Sequence, residues 1–439
     1  MKSPLFKIIF FLCFLVFLTS SFDVFLNLKV GGFSLRFAIV IMIIQILIFI
    51  FYQIITQFKK PLKFLGFTYF FIWFLLLTAF IPNTTILSRN IGYILWLGVF
   101  TGFILLLPTF IQKEEDFIKL IKWYLVSFTA VAIFGLLQFS LGMVGIDLLV
   151  TQWWLDGRLP RINGFSYEPS YFSTYELIGW VICFFLIIFK TKLSSSFNAK
   201  ISLFIITASL LLSTSRMGLI FVFGIILIYN FNEVKNTFIT FKIKRKTLPI
   251  FLSFLSFIVI CISFFFIYFD QIKFMLQGLG VYGYAGHSSE QRISELSDTF
   301  EAFWKSPWIG YSLGGIPSAI AQVRGTSINT QIQTKEFEGM NIFAETLAAS
   351  GIIGFVFFMI FLSILFYKSL KLIKALKPLN AEFSNLLLAL LMGLFIELLI
   401  LNMNQNILRA YLWVHIGIVN LGYFVGKGIL QKSIHSLKD

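Results

Sequence analysis

Long apolar runs separated by short polar stretches dominate the chain. Each run approaches the roughly 20 residues that a helix needs to cross the hydrocarbon core of a membrane. The pattern predicts an all-α polytopic membrane protein, in which residues 1–439 form a single transmembrane domain. About twelve membrane spans are predicted, at residues 5–22, 34–56, 64–82, 91–111, 117–141, 170–189, 200–214, 217–231, 249–269, 342–366, 383–401 and 409–427.

A long polar stretch interrupts this pattern at residues 270–340, between the ninth and tenth spans. A capping-box pattern from Ser288 to Gln291 predicts the start of a helix, and Pro307 predicts its end. We expect this helical loop to cover a site at the membrane surface, with Arg292 facing into the site. The face expected to lie on the membrane domain carries apolar residues at helical spacing, namely Ile293, Leu296, Phe300, Phe303 and Trp304.

Composition and charge agree with a membrane protein and add an orientation. The 439 residues are 58% hydrophobic and 13% charged, against about 25% charged in soluble domains. One side of the predicted membrane holds both termini and the loops after spans 2, 4, 6, 8 and 10, and it carries 23 of the 35 Lys and Arg residues. The positive-inside rule therefore predicts that both termini are cytoplasmic and that the 270–340 loop is extracytoplasmic.

The two sides also differ in the type of basic residue. The predicted cytoplasmic side carries 22 Lys and one Arg, whereas the outer side carries four Lys and eight Arg. The planar guanidinium group suits bidentate binding of phosphate or carboxylate, so an anionic ligand is predicted at the outer face. Interfacial snorkelling is the alternative, and we expect it for Arg36, Arg89 and Arg409.

The loop after the fifth span, residues 153–170, concentrates polar and aromatic groups. Arg158, Arg161 and Tyr167 are candidate substrate-binding residues, and the two tryptophans that open the loop are either sugar platforms or interface anchors. Glu168 directly precedes a proline at the mouth of the sixth span, where a carboxylate is costly unless it is paired or functional. It is the first candidate for a general base. An ion pair with Arg158 or Arg161 is the structural alternative.

Three further arginines are candidates for binding an anion. Arg216 lies in the tight turn 212–218 between spans 7 and 8, beside hydroxyl side chains. Arg292 lies in the first turn of the predicted loop helix, where the helix dipole does not favour a cation. Arg324 lies later in the same loop. The alternatives are snorkelling for Arg216 and an i,i+3 pair with Glu295 for Arg292.

The chain re-enters the membrane at Asn341, and Glu345 lies one turn further on the same helix face. An intramembrane carboxylate is a functional candidate by default, so Asn341 and Glu345 are candidate substrate-binding residues and Glu345 is the second candidate base. Glu397 is another acid within a span. The sequence contains no outer acidic pair for a metal, no phosphate-binding loop of the Walker type and no Ser-His-Asp arrangement. We therefore expect no metal and no cofactor.

These features together resemble the O-antigen ligase/polymerase family of bacterial membrane glycosyltransferases. The resemblance rests on the number of spans and on motifs in a fixed order. The motifs are the Thr214-Ser-Arg216 turn, the early arginine of the outer loop, the Pro307-Trp-Ile-Gly310 turn, and Asn341 followed by Gly351-Ile-Ile-Gly354. The string Arg161-x-x-Gly-Phe-x-x-Glu-Pro-Ser170 is similar to the polymerase branch.

The resemblance implies a C-type glycosyltransferase architecture and glycan donors linked to undecaprenyl diphosphate, with no metal requirement. By this resemblance, Arg216 and Arg292 bind the donor diphosphate. It also implies a flippase and a chain-length regulator as pathway partners. Met340 departs from the pattern, because ligases of the family usually have a histidine before the asparagine at Asn341, and this histidine is the favoured base.

The sequence therefore predicts a polymerase of a cell-surface polysaccharide such as O-antigen, capsule or exopolysaccharide. It is expected in the bacterial inner membrane, where it transfers glycan from one lipid-linked repeat to another at the outer leaflet. One alternative is a ligase that moves finished polymer onto a lipid or protein acceptor. Another is a flippase or other transporter of lipid-linked oligosaccharide, but the clustering of arginine at the outer mouth argues against it.

Overall fold

The computed structural model describes residues 4–30, 33–59, 61–80, 86–154, 157, 159–231, 287–339, 341–404 and 407–435. Within these ranges the chain forms 13 α-helices, two short hairpins and one 3-10 helix, Gln333–Phe337. The helices and strands are α1 (Pro4–Thr19), β1 (Asn27–Val30), β2 (Phe33–Arg36), α2 (Phe37–Ile55), α3 (Phe67–Ala79), α4 (Leu87–Phe110), α5 (Glu114–Met143), β3 (Trp153–Trp154), β4 (Leu159–Pro160), α6 (Pro169–Ile188), α7 (Ala199–Ser213), α8 (Arg216–Tyr229), α9 (His287–Lys305), α10 (Ser312–Val323), α11 (Ile342–Leu376), α12 (Ala381–Asn404) and α13 (Ala410–His435).

Seven helices are long and apolar enough to cross a membrane, namely α2, α4, α5, α6, α11, α12 and α13. The helices α1, α3, α7 and α8 are apolar but shorter. The predicted span at 249–269 and the first part of the 270–340 loop lie outside the described residues. The prediction of a polytopic, mainly helical membrane protein is thus confirmed, while the total of twelve spans stays a prediction.

Two short antiparallel hairpins join helices of this mainly helical fold. In one, β1 pairs with β2; in the other, Trp153 lies opposite Pro160 and Trp154 opposite Leu159. Both hairpins lie in connections between apolar helices. Backbone groups there cannot bond within a helix, and strand pairing satisfies some of them.

Helix α6 lies at the centre of the bundle, in contact with α5, α7, α8 and α12. Every residue from Phe172 to Cys183 is buried, so this helix is enclosed on all sides. A helix that is apolar around its whole circumference is expected to be buried in this way. Its first residue follows Glu168, so the most enclosed helix of the fold fixes the position of that carboxylate.

Helix α11 is kinked at Gly351, and the kink attaches the outer loop to the bundle. Gly351 has φ 59° and ψ −176°, outside the helical region. In a regular helix the N–H of Ile352 would donate to the carbonyl of Ala348. Here the Ile352 N–H donates to the carbonyl of Pro307 (2.8 Å), and the Ala348 carbonyl accepts from the N–H of Tyr311 (3.1 Å). The turn at 307–311 thus supplies partners for both the Ile352 N–H and the Ala348 carbonyl, which would bond to each other in a regular helix.

Arg161, Arg216 and Arg292 lie at the same end of the helix bundle, which we call the arginine end. Here α5 and α7 end, α6 and α8 begin, and α9 packs on α10 and α11. This end corresponds to the predicted outer face.

Candidate active site

The loop between α5 and α6 is organised by one buried amide, that of Gln138. Its Nε2 donates to the carbonyls of Leu148 (2.9 Å), Leu149 (3.0 Å) and Gly164 (3.4 Å). Its Oε1 accepts from the backbone N–H groups of Asn163 (3.1 Å) and Gly164 (3.0 Å). Gln138 was not among the predicted site residues, although a lone glutamine near the end of an apolar run is a usable signal. This amide ties both ends of the loop to α5.

We expect Gln138→Met to lower the free energy of unfolding by about 3 kcal/mol, because it leaves two buried backbone N–H groups and several carbonyls unpaired. The thermal unfolding midpoint of the purified protein in detergent measures this effect. The matched control is Gln112→Met, which removes a single hydrogen bond from the exposed Gln112 to the Thr109 carbonyl. Equal midpoints for the two variants would contradict the role given to Gln138.

Arg161 is held in place by three neighbours. Its Nε donates to the hydroxyl of Thr214 (2.8 Å), and its Nη1 donates to Oε1 of Gln152 (2.7 Å). The guanidinium group also stacks on the ring of Trp154, with 4.7 Å from Cζ to the ring centroid. This side chain joins the α5–α6 loop to the turn between α7 and α8. Arg158 lies outside the described residues.

Three arginines and one carboxylate form a series in which each charge affects the pKa of a neighbouring arginine. Burial and the charge of Arg216 lower the pKa of Arg161 to about 10, and Glu168 partly offsets the shift. Burial also lowers the pKa of Arg216, and the charge of Arg292 lowers it further. One cation lowers the pKa of another only when the two are close. Arg292 is therefore near Arg216, Arg216 is near Arg161, and Arg161 is near Glu168.

Arg161 stays charged at neutral pH, because its pKa of about 10 is still well above 7, and the guanidinium groups of Arg216 and Arg292 continue the series. Their mutual repulsion is unfavourable in the empty protein. An anion among them would reverse the sign of that interaction. The arrangement can therefore bind a group carrying more than one negative charge.

Helix α9 presents Arg292 half-buried, but the face that packs on the bundle differs from the prediction. Over residues 292–305 of the helix, the buried residues are Glu295, Thr299, Ala302 and Phe303. The predicted face was wrong for Ile293, Phe300 and Trp304, which are 68%, 42% and 71% exposed. Apolar side chains in a membrane protein do not have to face its core, since lipid also accepts them. The predicted end of this helix before Pro307 agrees with the structure.

Glu168 precedes the first residue of α6, and its Oε2 accepts a hydrogen bond from the Ser170 hydroxyl (3.0 Å). No ion pair joins it to Arg161, both of these residues being described. The carboxylate is half-buried, so a ligand can reach it. Tyr167 is exposed, and its hydroxyl accepts from Nδ2 of Asn27 (3.2 Å).

Asn341 acts as the cap of α11. Its Oδ1 accepts from the backbone N–H groups of Phe343 (3.1 Å) and Ala344 (2.9 Å), and its Nδ2 donates to the carbonyl of Asn402 (2.7 Å). Its amide is thus occupied by structural contacts. Glu345 is buried one turn further along and accepts from the N–H of Gly339 (3.0 Å).

Arg324 is also engaged within the loop. It forms an ion pair with Asp298 at 2.7 Å and lies over the ring of Phe337, 5.5 Å from the centroid. This pair joins the end of α10 to α9. Arg324 thus stabilises the helix that carries Arg292, and its guanidinium is already paired with a carboxylate.

The snorkelling prediction was wrong for Arg89 and Arg409, which are 3% and 7% exposed. Arg409 pairs with Asp23 (3.0 Å), and Arg36 pairs with the same carboxylate (2.9 Å). Arg89 pairs with Glu338 (3.3 Å). The partners lie far apart in sequence, so their pairing could not be predicted. Of the two carboxylates, only Asp23 could be recognised in the sequence as a candidate partner, because it is an acid directly after the first apolar run.

Comparison with known families agrees with the sequence analysis over part of the chain. Residues 201–359 match the family model described as O-antigen ligase. This confirms, over that segment, the resemblance to the O-antigen ligase/polymerase family. The segment contains Arg216, Arg292 and Asn341, whereas Arg161 and Glu168 precede it. No curated protein matches the chain.

Proposed function

We propose that this protein is a glycosyltransferase that polymerises a cell-surface polysaccharide such as O-antigen, capsule or exopolysaccharide. Its substrates are repeat units linked to undecaprenyl diphosphate. The observation that carries this proposal is the proximity of Arg216 and Arg292 at the arginine end of an apolar bundle. A diphosphate joined to a long lipid suits that combination, because its anionic group meets two guanidinium groups while its lipid stays in the membrane.

In the proposed reaction, Arg216 and Arg292 bind the diphosphate of the donor and stabilise the charge that develops as it leaves. Glu168 takes the proton from a hydroxyl of the acceptor sugar. The hydroxyl oxygen attacks the anomeric carbon of the donor glycan, and the bond from that carbon to the phosphate oxygen breaks. The electron pair of this bond stays with the diphosphate. No metal takes part in this scheme.

The remaining candidates have supporting roles in this proposal. We assign Arg158, Arg161 and Tyr167 to the sugar and phosphate groups near Glu168. Arg324, Asn341 and Glu345 shape the site, because each is held by other groups of the protein.

We place the protein in the bacterial inner membrane, with both termini cytoplasmic and the arginine end facing outward. This orientation follows from the excess of lysine on the other side. A flippase that delivers lipid-linked repeats and a regulator of chain length are the partners that such a polymerase needs.

A ligase is the second candidate, since the matching family model is described as O-antigen ligase. It would use the same arginines but would transfer finished polymer to a different lipid or protein acceptor.

Deletion of the gene distinguishes the two candidates. We expect cells without this protein to accumulate single lipid-linked repeats, because the first joining reaction is lost. Loss of a ligase would instead leave long polymer still attached to its lipid carrier. Gel separation of the lipid-linked glycans gives the answer, and the wild-type gene on a plasmid is the control for complementation. Long lipid-linked chains in the deletion strain would contradict the polymerase proposal. An unchanged glycan profile would contradict both candidates.

A further inference from the structure

A small cavity at the arginine end is separate from the three arginines. It lies between α4, α10, the segment before α11 and the residues before α13. Its polar lining consists of Arg89, Glu338 and Glu345, with the ring of Tyr93, and its apolar lining includes Leu313 and Leu408. The cavity holds about one water molecule. A space of this size suits one hydroxyl group.

Arg89, which lines this cavity, carries a buried donor without a partner. Its Nη1 donates to the hydroxyl of Thr334, its Nη2 donates to Oε1 of Glu338 (3.3 Å), and its guanidinium lies over the ring of Tyr93 at 4.6 Å. The Nε has no hydrogen-bond partner among the described residues. Arg89 is only 3% exposed, and a buried charged donor without a partner is costly. A ligand oxygen would satisfy it.

The two carboxyl groups differ in their access to solvent. Glu345 is 5% exposed, and its Oε1 accepts from the backbone N–H of Gly339. A Cβ on Gly339 would lie 2.7 Å from Cγ of Glu345, so the backbone is packed closely on this carboxyl group. The side chain of Glu338 is 29% exposed, so it lies at the opening. The carboxylate of Glu338 is therefore the hydrogen-bond acceptor that an incoming ligand contacts first.

A chain of contacts connects the cavity to Glu168. Leu408 in the cavity wall precedes Arg409, whose guanidinium lies 4.3 Å from the ring centroid of Tyr171. The N–H of Tyr171 donates to the carbonyl of Glu168 (3.1 Å). Arg409 and Tyr171 thus connect the cavity wall to Glu168.

We propose that this cavity is a subsite for the acceptor sugar, in which Arg89 and Glu338 bind one of its hydroxyl groups. This inference rests on the proposed function. A hydroxyl group both donates and accepts, which matches an unpaired N–H beside a carboxylate. A phosphate does not fit, because two carboxyl groups face a single guanidinium.

The subsite predicts a change in acceptor affinity when Glu338 is altered. The assay uses the purified protein in lipid vesicles, with lipid-diphosphate-linked repeats from cells that lack the gene as donors. The acceptor is the same repeat with a short alkyl group in place of the lipid diphosphate, so that it can accept but cannot donate. We expect Glu338→Gln to raise the KM for this acceptor about tenfold, because a charged hydrogen bond is lost. The donor KM and kcat should stay within about twofold of wild type.

Glu336→Gln is the matched control, because Glu336 is exposed on the 3-10 helix two residues earlier. Glu336→Gln should leave the acceptor KM, the donor KM and kcat unchanged. If the cavity holds only water, Glu338→Gln will also leave the acceptor KM unchanged, and the subsite proposal will be overturned. An equal rise in donor and acceptor KM would overturn it as well. Absence of product with the wild-type protein would instead overturn the proposed function and the subsite together.

Discussion

Replacing Arg292 by alanine is expected to abolish the polymer and leave single lipid-linked repeats. Arg292 lies close enough to Arg216 to lower its pKa, and the repulsion between the two charges is relieved when a diphosphate binds. Removing one donor that stabilises a developing negative charge costs about 100-fold to 1,000-fold in kcat. Arg216→Ala should have an effect of similar size. The glycan ladder from complemented deletion cells measures it.

Two variants of α9 test whether activity needs the geometry of the Arg292 guanidinium group or only its charge. Arg292→Lys should restore only part of the activity, because an ammonium group cannot make the paired contacts of a guanidinium. Lys305→Ala is the control on the same helix; Lys305 is exposed and forms only a 3.9 Å pair with Glu301. It should give a wild-type ladder. A normal ladder in Arg292→Ala would remove Arg292 from the mechanism.

Gly351→Ala is expected to have the largest effect on stability. A Cβ at this position would overlap the backbone carbonyl of Trp308, and φ is 59°. Both the strained conformation and the overlap oppose the substitution, and together they should lower the free energy of unfolding by about 3 kcal/mol or more. The turn at 307–311 would lose its attachment to α11. The thermal unfolding midpoint in detergent and the yield of folded protein measure this loss.

Gly98 provides the matched control for Gly351. It lies within α4, and a Cβ there meets nothing within 4 Å. Gly98→Ala should therefore be neutral or stabilising by up to about 1 kcal/mol, through the better helix propensity of alanine. Similar midpoints for the two variants would show that the kink of α11 does not need glycine.

The sequence predicted those parts of the fold that depend on local pattern. Long apolar runs predict membrane helices because the bilayer requires satisfied backbone groups, and α6 and α13 lie where the runs at 170–189 and 409–427 indicated. The end of α9 was predictable because Pro307 cannot continue a helix. These features need no knowledge of distant contacts.

The parts that depend on distant contacts could not be predicted in the same way. Small residues within a membrane helix, such as Gly351 and Gly354, are typical of positions where a neighbouring helix packs closely. Gly354 does face a neighbouring helix, because a Cβ added to it would lie 3.5 Å from the ring of Trp73 on α3. Gly351 instead admits the backbone of a loop, because α11 bends there. Sequence spacing alone cannot separate these two uses of glycine.

The candidate site shows the same division between features that depend on local sequence pattern and features that depend on distant contacts. The excess of arginine on one side predicted an anion site, and the series from Arg292 to Glu168 supports it. Sequence could not show that Arg89 and Arg409 are buried and paired, since their carboxylate partners lie in other loops. Nor could it reveal Glu338, which is important only beside Arg89.

Reconstitution with purified components tests the central claim most directly. Wild-type protein in lipid vesicles would be incubated with lipid-diphosphate-linked repeats alone, without any other acceptor or enzyme, and the products separated by size. We predict a ladder of two or more joined repeats for the wild type and only single repeats for Arg292→Ala. Single repeats in both reactions, with wild-type transfer appearing only after a different lipid or protein acceptor is added, would contradict the polymerase account.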